Sequence, residues 1–482
     1  MLLQFVPTFV VPDLYPLFVR DIVMAPSLKS RRLNVESLEC RNLMAGLVSA
    51  TIQNGDLVIT GDIADNYVAI YRDPANSGNV MVVGGKTDHN ASTPATIVNY
   101  SEAPVSLSGF TGGIRAYLGN GNDGIFLTDM VVNGDVQINL GNGNNTAIFD
   151  GEKIDSLSLA PNFVKNLDYA FNSATLKIKG SVTINEGTGK DITMLCKTLF
   201  DKDVTVNSGE GADQVYVQNA GISNEDGTLV VAGKLIVNAG GGNDFVSLEQ
   251  RFISTPNVER PTSGVPAELN NVQISLGLGD DTLKAFSRNE IGYANGKPIY
   301  GVAEPWHIAG DFIVSDRQAT SKGAIVTLEN MNVKGDLQLD LTQFADKVTA
   351  TKISAGNVTL HSYAGDDVIK IGRANTALLN IDTAAGNDSL ELNFDHWSLL
   401  NLSTGLGDDT VLVYAGDGNV EAQLGGGNDW WELLRENKTK GYLHVFGAEH
   451  NVDFFTDFIT YFWTDPSTPA LMAKFQSKLH QL

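Results

Sequence analysis

A chain of 482 residues with 49 glycines, 15 prolines and 43% hydrophobic side chains is too apolar to be disordered, and its glycine content demands many tight turns. Its 56 acidic against 33 basic residues, formally −23, argue against nucleic acid as a partner, because phosphate would be repelled over most of the surface. Two cysteines, Cys40 and Cys196, give neither a disulfide framework nor zinc spacing, and no run of about 18 apolar residues offers a membrane-spanning helix.

Residues 1–24 are apolar but interrupted by Pro7, Pro12, Asp13, Pro16, Arg20 and Asp21. That makes a poor secretory core, since its positive charge follows instead of preceding it. In the next segment, Arg32-Leu33, Val35-Glu36, Leu38-Glu39, Arg41, Leu43 and Ala45 resemble the N-terminal R-L-x-x-E-x-L-E-x-R-x-L motif at the start of large exported planctomycete proteins, with a departure at Met44. The resemblance implies export to the extracellular space or cell surface, residues 1–45 as a leader and Met24 as the working start. An ordinary amphipathic basic helix is the alternative reading of the same segment.

Residues 46–105 are expected to form an N-terminal β cap and the first units of a repeat, which then runs over 106–455. Six turns keep glycine four and two residues before an aspartate: GNGND at Asp123, GEGAD at Asp213, GGGND at Asp244, GLGDD at Asp281 and Asp409, and GGGND at Asp429. A seventh, GNGNN, ends in Asn145, and the turns at Asp367 and Asp388 lack only the first glycine. Weaker echoes fall at Asp65, Asp346 and Asn451. From Asp346 to Asp429 the aligned positions are spaced 21, 21, 21 and 20 residues apart.

Alternation flanks each turn. Leu400 and Leu402, or Val272, Ile274 and Leu276, enter it, and Val411 and Val413, or Leu390 and Leu392, leave it, which is the period of a strand. A second mark, Gly-Asp or Gly-Asn, opens incoming strands at Gly134, Gly335, Gly356 and Gly418. Two strands and two marked corners in about 21 residues predict an all-β chain coiled as a single parallel β-helix, or β-solenoid, right-handed being the common hand at this rung length. A row of antiparallel hairpins is the rival, but it does not explain why each part of the unit keeps its phase.

Wider spacing places loop excursions at 250–271 and 287–307, where a repeat protein would carry a binding surface. Residues 151–203 show strand patterns without an acidic turn and are read as degenerate rungs. The tail, 456–482, is expected to be a short helical cap.

Stacked corners about 4.8 Å apart would set like charges against one another at about 0.9 kcal/mol per pair even in bulk water. Calcium, which takes six to eight oxygen ligands, would relieve that repulsion. The pattern G-x-G-x-D-x-U resembles the calcium-binding nonapeptide of hemolysin-type RTX proteins. The resemblance implies secretion and Ca2+ held by Asp123, Asp213, Asp244, Asp281, Asp367, Asp388, Asp409 and Asp429. It departs from that family in having one motif per 21 residues, so that calcium would occupy a single edge. The other reading of the turns needs no metal: glycine supplies positive φ, and Asn and Asp cap turns or form hydrogen-bond ladders.

Parallel β-helices also carry polysaccharide lyases and glycoside hydrolases, but a catalytic site is needed once and these carboxylates recur. Of the histidines, His307 and His361 stand alone, while His396 beside Trp397 suggests a sugar contact. Trp430 is expected to face outward and Trp431 inward. The sequence thus predicts an exported, non-enzymatic surface or matrix protein whose partners are cell-wall or extracellular polysaccharide or other surface proteins, with a carbohydrate-active β-helix enzyme as the alternative.

Overall fold

The structure, a computed structural model, describes residues 46–85, 95–151, 176–221, 230–253, 268–294, 297–301, 303, 305–316, 322–415, 418–435, 443–446 and 450–454. These belong to one compact unit, 44–482. The expected leader at 1–45, the expected cap at 456–482 and most of the expected excursion, residues 254–267, lie outside the described residues. Those described are all-β, with no helix among them. None therefore offers a helix long and apolar enough to cross a membrane.

The pairing between repeats is parallel and in register. The strand Lys347–His361 pairs along its length with Val368–Asp382, which pairs in turn with Ser389–Ser403. Beyond that, the two halves of Ser389–Ser403 pair with separate strands, Thr410–Ala415 and Asn419–Gln423. A strand's partner thus lies one repeat away, which removes local antiparallel pairing as the rule.

Alternation turns this register into a core. Val348, Ile369, Leu390, Val411 and Trp431 are consecutive partners, all buried, and Leu360, Ile381, Leu402, Ala422 and Val445 form a second buried row. Each fully buried aliphatic side chain contributes roughly 1.5–3 kcal/mol. A single unit would leave its apolar row half in water. Trp431 is fully buried while its neighbour Trp430 is 42% exposed, as the alternation predicts.

Antiparallel pairing occurs where the chain departs from the repeat. Leu47–Gln53 folds back on Asp56–Thr60 through Asn54-Gly55, both at positive φ, which matches the right-handed twist of the strands they join. Tyr67–Arg72 pairs with Val80–Gly84, and Thr282–Ala294 with Lys297–Gly301. The second expected excursion is therefore in part a hairpin that prolongs a strand of the repeat.

Candidate functional site

At the marked corner the two glycines serve the backbone. Gly405 and Gly407 have φ of 86° and 138°, and a Cβ on either would overlap the carbonyl oxygen of the unit before, Ala384 and Gly386 respectively. Where the first glycine is missing the turn persists: Tyr363 and Ala384 hold φ of 62° and 60°. Both pay the left-handed strain of an L residue, roughly 1–2 kcal/mol each.

The aspartates do not line an outer edge. Asp123, Asp213, Asp244, Asp281, Asp367, Asp388, Asp409 and Asp429 are each no more than 2% exposed. The physical reason lies in the main chain. At the corner the N–H of this residue has no strand carbonyl to meet, and a buried donor must be satisfied. The side chain one unit further on supplies the acceptor.

The N–H of Asp367 donates to Oδ1 of Asp388 at 2.9 Å, that of Asp388 to Asp409 at 2.9 Å and that of Asp409 to Asp429 at 3.1 Å. The same bond runs from Asp213 to Asp244 at 2.8 Å and from Asp244 to Asp281 at 2.7 Å. Earlier in the chain it links Asn66 to Asp123, Asp123 to Asn145, Asn145 to Asp191 and Asp191 to Asp213. One file of side chains results, interrupted at Ala324, which carries no acceptor but whose own N–H donates to Asp346 at 2.6 Å.

A second file stands beside the first on the exposed side and runs the opposite way. The N–H of Asn387 donates to Asp366, that of Asp408 to Asn387 and that of Asn428 to Asp408, each at 2.8 Å. At the other corner Asp336 accepts from the N–H of Asn357 at 3.1 Å and itself donates to Asp311 at 3.0 Å. The Gly-Asp and Gly-Asn marks thus repeat the device there.

Two members of the inner file escape the sequence reading. Asp191 lies within the stretch taken to lack an acidic turn, although Gly187 and Gly189 stand four and two residues before it, the signal used elsewhere. At the first echo the inward residue is Asn66, and Asp65 belongs to the outer file, accepting from the N–H of Asn122. Trp397 is also reassigned. It is buried, its Nε1–H donates to the carbonyl of Asn419 at 3.1 Å, and its ring meets Phe394 edge-on at 4.9 Å, so it cannot stack on a sugar beside His396.

Burial governs the acidity of the file. Desolvation pushes Asp123, Asp191 and Asp244 up to about 7, Asp213, Asp281 and Asp388 to about 6 and Asp367 to about 8, against the stabilising pull of the backbone N–H each accepts. Asp409 is raised for the same reason.

The donor set does not fit the calcium implied by the RTX resemblance. The carboxyls stand in single file instead of converging, and one oxygen of each is taken by a backbone N–H. Among the described residues no group of three or more His, Cys, Asp or Glu side chains is placed to hold a metal ion. A cavity of about 480 Å³ is lined by Arg72, Asn79, Phe110, Asp129 and Asn133 among others, but Asp129 is its only acid, and it is paired with Arg72 at 3.2 Å. Comparison with protein-family models, with curated proteins and with solved structures yields no match for this chain.

Proposed function

We propose that the chain is a parallel β-solenoid acting as a non-enzymatic scaffold of the cell surface or extracellular matrix, and that its recurrent aspartates and asparagines join one rung to the next. The observation that supports this reading is the repetition of one bond, side-chain Oδ1 to the N–H of the neighbouring unit, at corner after corner. Chemistry on a substrate needs one site with unlike groups in unlike roles. The same carboxyl in the same role at each unit serves a load spread along the molecule. The leader-like motif of residues 32–45 fits export, and the exposed files of Asp and Asn offer hydrogen bonds to polysaccharide or to neighbouring surface proteins.

Protease added to intact cells that make the protein, with a cytoplasmic marker followed alongside, tests the assignment. The scaffold reading expects the protein to be lost while the marker is spared. Full protection of the protein on intact cells, or release of oligosaccharide from polysaccharides incubated with it, would contradict that reading.

A further inference from the structure

The misfit with calcium leaves a physical question. A file of carboxylates one strand spacing apart, about 4.8 Å, needs something to remove its charge. The chain contains its own control. At Asn145 the side-chain oxygen accepts from the Asp123 N–H at 3.0 Å, as an aspartate would, and the amide nitrogen donates to the carbonyl of Gly141, four residues earlier, at 2.9 Å. At Asn66 the amide nitrogen does the same, donating to the carbonyls of Asp62, again four residues earlier, and of Ala64 and Leu118. The second side-chain atom of the file thus faces main-chain oxygens.

In the aspartate units that atom is Oδ2. It is buried without a hydrogen-bond partner at Asp123, Asp191, Asp213, Asp244 and Asp281. An ionised oxygen there would face carbonyl oxygen, which repels it, whereas a protonated one becomes a donor. At Asp367, Asp388 and Asp409 Oδ2 is likewise without a partner, but Ser362, Thr383 and Thr404 place hydroxyls beside these carboxyls, those of Thr383 and Thr404 donating to the carbonyls of Thr404 and Leu424. At the positions matching them, five residues before Asp244 and Asp281, stand Ala239 and Leu276, which offer no donor.

The surrounding charges do not help ionisation. Asp244 is faced by Asp213, Asp281, Glu210 and Asp316, and Asp281 by Asp244, Asp280 and Asp316. Among the described residues, Lys322 is paired with Asp280 at 3.4 Å, and Lys284 Nζ lies over the Phe245 ring, 5.4 Å from its centroid. Asp316 is itself fully buried with neither oxygen hydrogen-bonded.

We infer that the inner file is held at Asp244 and Asp281 by protons instead of calcium: both are neutral carboxylic acids. Each accepts a backbone N–H through Oδ1 and donates Oδ2–H to the carbonyl four residues before it. For Asp244 that acceptor is Gly240, whose oxygen already takes the N–H of Leu278 at 2.7 Å and keeps a second lone pair. The upward displacement of these acidities, from an ordinary 3.8 to about 6 or 7, agrees with the geometry.

Infrared spectroscopy of the unaltered full-length protein decides the matter. At about pH 6, where exposed aspartates are ionised, the C=O stretch of protonated carboxyls is expected to remain, and to weaken in the D244N/D281N double variant. An amide supplies acceptor and donor at every pH. The double variant is therefore also expected to melt above the parent at about pH 8 and to lose part of the parent's fall in Tm between about pH 5 and 8. Absence of the protonated band at about pH 6, or its full retention in the double variant, would overturn the inference. So would a Tm restored at about pH 8 by Ca2+ and lowered by chelator.

Discussion

Gly407 and Asp409 sit two residues apart at the same corner, and their roles separate cleanly. The glycine is required by space and by φ, because its neighbour across the unit boundary is a carbonyl oxygen. The aspartate is required by a donor, the N–H of Asp388. Gly407→Ala is expected to cost more than about 2 kcal/mol, combining left-handed strain with a clash that only backbone movement relieves. Ala384→Gly, at a strained position, is expected to leave stability unchanged or raise it by up to about 1 kcal/mol, strain relief being offset by unfolded-chain entropy. Asp388→Ala strands the N–H of Asp367 and is expected to cost roughly 1–3 kcal/mol. Urea unfolding of the three variants checks these values and their order; an Ala384→Gly variant clearly less stable than the parent would contradict the strained turn.

At the scale of strands, alternation and repeat length were legible because they follow from backbone geometry: inward side chains must be apolar every second residue, and equivalent corners must recur at the length of one unit. Val411 and Val413, Leu390 and Leu392 needed nothing further. The direction in which an acidic side chain points was not legible. Asp at a turn ordinarily faces water, and only the unmet N–H of its neighbour, invisible without coordinates, draws it inside. Asp191 was missed because the Lys190 before it breaks the acidic look of the turn, though Gly187 and Gly189 were in place. Asn54-Gly55, flanked by alternating residues, carried a hairpin signal overlooked beside the longer repeat. Trp397 shows how a residue pair read in isolation misleads: on an inward position between Phe394 and Leu400 it is core. Trp397→Ala is expected to cost about 3–5 kcal/mol through the cavity it leaves, measured by thermal or urea unfolding. A loss below about 1 kcal/mol would mean the indole is not packed as described.

The whole molecule accumulates these local terms. Because burial raises the acidities of the file, the folded chain binds more protons than the unfolded one between the ordinary carboxyl value of 3.8 and the raised values near 6 to 8. Stability from these groups is therefore greatest near pH 4 and declines as pH rises through that window. Tm should fall from about pH 5 to 8, opposite to a protein held by ionised, salt-bridged carboxylates, and chelator should not alter it. A Tm that rises over the same range would contradict the burial of the file.

All of this depends on equivalent positions of successive units lying side by side. The ion pair between Lys370 Nζ and Glu391 Oε2, at 2.8 Å and 21 residues apart, lies on two such partners in an exposed setting. Zero-length carbodiimide coupling of the native protein, followed by peptide mass mapping, is predicted to join Lys370 to Glu391. Coupling of Lys370 to an acid within its own unit, with none to Glu391, would contradict the parallel register.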